Sequence, residues 1–259
     1  MTASIATPTH RRDAVPSSPL APIPFTRLVR VEWTKATDTR AARWLLALVG
    51  LSTVAMVLVP VVAPTSFDQS YASYLQVAAF GLTILLPVVA ILLLTGEWSQ
   101  RTVLTTFTQV PRRLRVVNAK LAASLLLGVG AAAFGGVVAA AGIAVASASG
   151  RELEAGLSTG DVGGYLLFVL LNVLAGVALG ALLQSSAPAI AASFALPASL
   201  ALLGTASTVV AEWIDMSVWS WVLENDWAGH VPQIAVSVLL WVVLPLASGI
   251  VRTLRRDIA

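Results

Sequence analysis

Six apolar stretches, each about 20 residues or longer, alternate along the chain with short polar breaks: 44–62, 74–95, 117–147, 162–183, 187–210 and 232–251. A helix needs roughly 20 mostly apolar residues to cross about 30 Å of hydrocarbon, and none of these stretches carries a charge in its apolar centre. Inside a bilayer no water satisfies the backbone, so each stretch is predicted to be a helix. The pattern predicts an all-α integral membrane protein with six transmembrane helices, spans one to six.

Span three is longer than a bilayer requires. Its 31 residues would extend about 46 Å at 1.5 Å per residue, so it is predicted to project into one aqueous face or to tilt strongly. Gly128, Ala132, Gly136 and Ala140 recur four apart along it, and span four carries Gly176-x-x-x-Gly180. Small residues at this spacing let helix backbones approach closely in lipid, a matter of packing and not of chemistry. Pro87, Pro197 and Pro245 fall inside spans two, five and six, where the missing backbone donor tends to kink a helix.

Composition agrees with the pattern. Of 259 residues, 57% are hydrophobic and only 11% charged, whereas soluble domains average about a quarter charged. The basic residues set the orientation. Of the 16 Lys and Arg, all but Arg151 lie in the segment before span one, between spans two and three, or after span six. The other side collects Asp68, Glu152, Glu154, Asp161, Glu212, Asp215, Glu224 and Asp226. By the positive-inside rule both termini are cytoplasmic, in the plasma membrane. The pI near 9.8 then reflects an anionic membrane face and not a nucleic-acid partner.

Three segments are neither span nor simple loop. Residues 1–24, rich in Pro, Ser, Thr and Ala, are expected to be a disordered cytoplasmic tail, ahead of a single six-span domain over 25–256. Residues 25–40, FTRLVRVEWTKATDTR, place Phe25, Leu28, Val29, Trp33 and Ala36 on an arc of about 140°. Arg27 and Arg30 face away, and Glu32 interrupts the apolar arc. This suits an amphipathic helix lying at the membrane surface, anchored by Phe25 and Trp33. The outer loop before span six carries Trp213, Trp219, Trp221 and Trp227, read as short interfacial helices anchored by tryptophan.

The third segment, GEWSQRTVLTTFTQVPRRLRVVNAK (96–120), holds six charged residues between two apolar spans. No helix breaker intervenes from Glu97 to Val110, Pro111 closes the run, and Val103, Phe107 and Val110 form an apolar stripe. Glu97 complements the positive end of a helix and sits within reach of Arg101 four residues on. A helix over 97–110 is predicted, with Arg112, Arg113 and Arg115 as a basic anchor at the headgroups.

Catalytic chemistry is absent from the sequence. Neither lysine, Lys35 or Lys120, follows a glycine, so there is no P-loop. There is no cysteine and no H-E-x-x-H, and no site residue is assigned to metal binding or catalysis. No buried carboxylate of the proton-relay kind appears in a span. Asn172, the most polar residue well inside a span, is assigned to a transport pathway or to a hydrogen bond between helices; both stay open.

On the segments FTRLVRVEWTKATDTR and GEWSQRTVLTTFTQVPRRLRVVNAK, on six spans with both ends on one side, and on the charged outer hairpin, residues 24–256 resemble the ABC type-2 permease family. These are the membrane subunits of ATP-binding-cassette exporters. The resemblance implies that the segment between spans two and three contains a cytoplasmic coupling helix that docks on a separate ATPase. It makes Glu97, Arg101, Thr105, Thr106 and Gln109 the coupling residues. It also implies a second permease copy or paralogue, and a hydrophobic or amphipathic cargo of the drug, antibiotic or peptide class. ATP and magnesium would be bound by the partner, so this chain is expected to be no enzyme and to hold no cofactor. The chain lacks the large outer domain of bigger sterol and drug exporters. The alternatives are a non-transporting membrane scaffold or sensor, and a secondary carrier, which the missing buried charges disfavour.

Overall fold

A computed structural model describes residues 23–99, 113–154 and 156–255. An N-terminal helix, Phe25–Asp38, is followed by six helices long and apolar enough to cross a membrane. These spans run Arg40–Val62, Tyr71–Glu97, Arg113–Ala148, Thr159–Leu183, Ser186–Gly204 and Val231–Arg255. The expected tail, 1–24, lies outside the described residues except at its last two positions. Thr39 separates the first two helices: its extended backbone ends one, and its hydroxyl accepts the Ala42 N–H to cap the next.

Spans two and four form the centre, with 67% and 61% of their most apolar windows buried, against 6% for span five. Leu82 and Leu86 from span two meet Val169, Val173 and Val177 from span four in the core, all of them fully buried. The close approach depends on Gly176. A Cβ there would stand 2.6 Å from the Pro87 carbonyl oxygen of span two, whereas one on Gly180 would meet ordinary contacts from 3.4 Å outward. Of the G-x-x-x-G pair, the first glycine is the one that backbone contact requires.

Span three departs from the expected face. From Gly128 onward the buried positions are Gly128, Ala132, Gly135, Ala139, Gly142 and Ala146, while Ala140 is exposed and Gly136 only half-buried. Steps alternating between four and three follow the seam of one helix against another. A strict step of four drifts off it. Tyr165 closes this seam by donating its hydroxyl to the Ala132 carbonyl (2.8 Å).

The acidic face is more heavily built than expected. Span five ends at Gly204 and not near 210, and the chain continues through a π-helical turn (Val210–Ile214) and a 3-10 turn (Met216–Trp219) into a short helix (Ser220–Leu223). The short helical pieces expected in the tryptophan-rich loop are present. Trp219, however, is fully buried and belongs to the core, while Trp213 and Trp227 are exposed. A second π turn, Leu239–Val243, widens span six just before Pro245, which has no N–H to give the preceding turn. The Trp241 indole donates to the Ile214 carbonyl (2.6 Å), tying this turn to the segment before span six.

Arg151, the single Lys or Arg on this face among the described residues, also has a structural task. Its guanidinium donates to the Pro60 carbonyl (3.3 Å), the Val61 carbonyl (2.6 Å) and the Gln69 side chain (3.4 Å). It thereby satisfies two of the carbonyls left over at the end of span one.

Gly176→Val is expected to lower stability by about 1–3 kcal/mol through overpacking against Pro87. Gly180→Ala should be nearly silent. Thermal unfolding of the two variants in detergent, side by side with the parent, checks the difference.

Candidate functional site

The N-terminal helix, the end of span two and the start of span three meet on the basic face around four charged side chains. Glu32 and Lys35 lie three apart on the N-terminal helix and so share a side of it. Glu97 occupies the last turns of span two, and Lys120 lies about two turns into span three. Small apolar contacts bring these elements together: Ala36 and Val29 pack with Leu93 and Ala123.

The charges interlock. Lys35 Nζ donates to Glu32 Oε1 and to Glu97 Oε1, each at 2.7 Å. Lys120 Nζ donates to Glu32 Oε2 (2.8 Å) and to the Leu93 carbonyl (3.2 Å), and stands 3.5 Å from Glu97 Oε1. Two ammonium groups thus face two carboxylates, and the cluster is neutral. The side chains of Lys120 and Glu32 are each only 6% exposed, that of Glu97 13% and that of Lys35 43%. A buried charge without a partner is prohibitive, so these groups enter the protein together or not at all. Both lysines of the chain are in this cluster; every other basic residue is arginine. A compact ammonium on a flexible stem suits a site where one nitrogen must bridge several oxygens.

Burial lowers the affinity of the Lys35 ammonium for its proton, but the hydrogen bonds and charges of Glu32 and Glu97 outweigh it and raise its pKa above the ordinary lysine value. A raised lysine pKa means that its stabilising contribution is complete at neutral pH and is lost only as pH climbs through the raised value, in the alkaline range.

Arginines secure the surrounding helix ends. Arg113 donates to the Thr253 carbonyl (3.0 Å) and Leu254 carbonyl (3.3 Å) at the end of span six. Arg252 donates to the Leu182 carbonyl (2.9 Å) at the end of span four, and Arg115 to the Ile23 carbonyl (2.9 Å) before the N-terminal helix. Cations at helix C-termini satisfy leftover carbonyls and complement the helix dipole. Compared with known proteins, the chain matches no family model and no curated protein.

The positions singled out in the sequence fall as follows. Glu97 is turned inward to Lys35 and Lys120. Arg101, Thr105, Thr106, Gln109 and Arg112 lie outside the described residues. Arg113 grips the end of span six. Phe25 and Trp33 remain partly exposed, while the buried side of their helix centres on Glu32 and Ala36. The interruption of the apolar arc by Glu32 is therefore the contact itself. Asn172 donates a side-chain N–H to the Phe168 carbonyl of its own helix (2.9 Å), and among the described residues it makes no side-chain hydrogen bond to another span. Glu32, Lys35 and Lys120 were not read as a site from sequence. The available signal was a lone acid in an apolar arc in a chain with only two lysines.

Lys120→Met and Glu32→Gln are each expected to cost about 3–5 kcal/mol, because each leaves the neutral cluster with one uncompensated buried charge. The double variant should cost clearly less than the sum of the two. A double-mutant cycle on thermal unfolding in detergent measures this, and strict additivity would mean that the two groups do not act as a pair.

Proposed function

We propose that this chain is the membrane permease subunit of an ATP-binding-cassette exporter. In this reading it moves a hydrophobic or amphipathic substrate, of the drug, antibiotic or peptide class, out of the cytoplasm. A separate ATPase subunit supplies the energy, and a second permease, identical or paralogous, completes the pathway. The observation that carries the reading is the anchoring on either side of the polar segment 98–112. Just before it, Glu97 is held by Lys35 and Lys120; just after it, Arg113 is held by the end of span six.

A force delivered at Glu97 or Arg113, the two ends of that segment, reaches the N-terminal helix and spans two, three and six directly. Such a link is what a coupling element requires, because nucleotide-driven motion is useful only if it shifts helices. Glu97 then acts as a positioning residue that fixes the root of the segment. Arg101, Thr105, Thr106 and Gln109 remain the residues proposed to meet the ATPase. The absence of a P-loop from the sequence fits a chain whose energy comes from a partner. The basic face, in this reading, is cytoplasmic.

The test is to purify the chain from its native membranes in mild detergent together with any P-loop ATPase bound to it. The two should copurify in detergent. Arg101→Ala combined with Gln109→Ala should reduce transport-coupled ATP hydrolysis about tenfold, equivalent to about 1.4 kcal/mol of lost interaction, with membrane insertion unchanged. Unaltered coupling in that variant, or a membrane complex that never carries an ATPase, refutes the proposal.

A further inference from the structure

Beside the charge cluster, a cavity of about 830 Å³ opens between the N-terminal helix and the basic-face ends of spans one, two and three. It falls within the roughly 300–1,000 Å³ typical of ligand sites. Its lining is mostly aliphatic, with Leu45 from span one and Val89, Leu92 and Leu93 from span two, and it also includes Arg27 and the cluster's Glu32, Lys35, Glu97 and Lys120. The two lysines of the cluster are matched by two glutamates. Arg27 is exposed and makes no ion pair among the described residues, so among these residues the lining carries one uncompensated positive charge.

These two features define a ligand. A small soluble anion would meet Arg27 but leave the aliphatic walls without a partner. A purely apolar molecule would fill the walls and leave the charge unmatched. The walls belong to helices apolar enough to cross a membrane, and Arg27 sits on the face that carries nearly all the basic residues, where anionic lipid accumulates by electrostatic attraction. Charge and shape both call for an amphiphile with an acyl chain and one anionic headgroup.

We propose that this cavity binds an anionic phospholipid, with its phosphate against Arg27 and Lys35 and an acyl chain along Leu45, Val89 and Leu92. Bound there, the lipid packs between the N-terminal helix and the spans. It adds an apolar contact to the one the charge cluster makes. The inference does not depend on the exporter reading, since it concerns the isolated chain and its bilayer.

The full chain, reconstituted in phosphatidylcholine vesicles with a small fraction of phosphatidylglycerol bearing a photoreactive acyl chain, provides the test. Cross-links should concentrate on the peptides containing Leu45 and Val89–Leu93. Leu92→Trp, which fills the cavity from a partly exposed position, should cut this labelling several-fold, whereas Leu202→Trp on the exposed side of span five should not. Arg27→Ala should remove the preference over a photoreactive phosphatidylcholine, and inorganic phosphate should not compete. Labelling spread evenly over the spans, or indifferent to Leu92→Trp and Arg27→Ala, would overturn the site. Competition by inorganic phosphate would overturn the lipid and assign a soluble anion instead.

Discussion

The arrangement of the basic face follows from one requirement: the ammonium of Lys120, inside the packed start of an apolar helix, must be matched by negative charge. The nearest carboxylates come from two other elements, Glu32 of the N-terminal helix and Glu97 of span two. Lys35 supplies the second positive charge that neutralises them both. Exposed ion pairs contribute little, but the buried members of this group cannot be separated without stranding a charge. The cluster is better understood as a specifier of geometry than as a source of net stability. It fixes where the N-terminal helix sits and how spans two and three are spaced at their polar ends.

The two faces of the molecule solve the problem of helix ends by the same means and with different consequences. On the acidic face, Arg151 closes the end of span one, and a buried tryptophan segment fills the space beside span four. On the basic face, Arg113 and Arg252 close the ends of spans six and four. Between these closed ends, spans two and four are joined at backbone distance through Gly176 and Pro87. A displacement imposed at the root of the 98–112 segment meets a braced set of helices. That is the mechanical basis on which the permease reading rests.

Much of this was legible in the sequence. Hydropathy located all six spans, because the bilayer leaves helix as the solution for a long uncharged stretch. The long third helix and a helix at the start of the described chain also followed from length and periodicity. What sequence could not supply was pairing across distance. Glu32 looked like a flaw in an apolar arc, and Lys120 like one more positive charge near a membrane surface, because their partners lie 88 residues apart along the chain. Stepping in fours found Gly128 and Ala132 on the small-residue face of span three but then drifted off it, since Gly135 and Ala139, rather than Gly136 and Ala140, are the buried positions. Trp219 was grouped with interfacial tryptophans because composition does not distinguish a buried indole from one at a headgroup.

The central claim is that the charge cluster fixes the N-terminal helix to span three. The chain has no cysteine, so introduced cysteines can carry spin labels without background. Labels at Arg30→Cys and Leu114→Cys, both exposed positions, report the separation of the two helices by pulsed dipolar spectroscopy. With the cluster intact a single narrow distance is expected, and with Glu32→Gln added that distribution should broaden or shift. A distribution unchanged by Glu32→Gln would mean that the helix is held by something other than these charges, and would contradict the account.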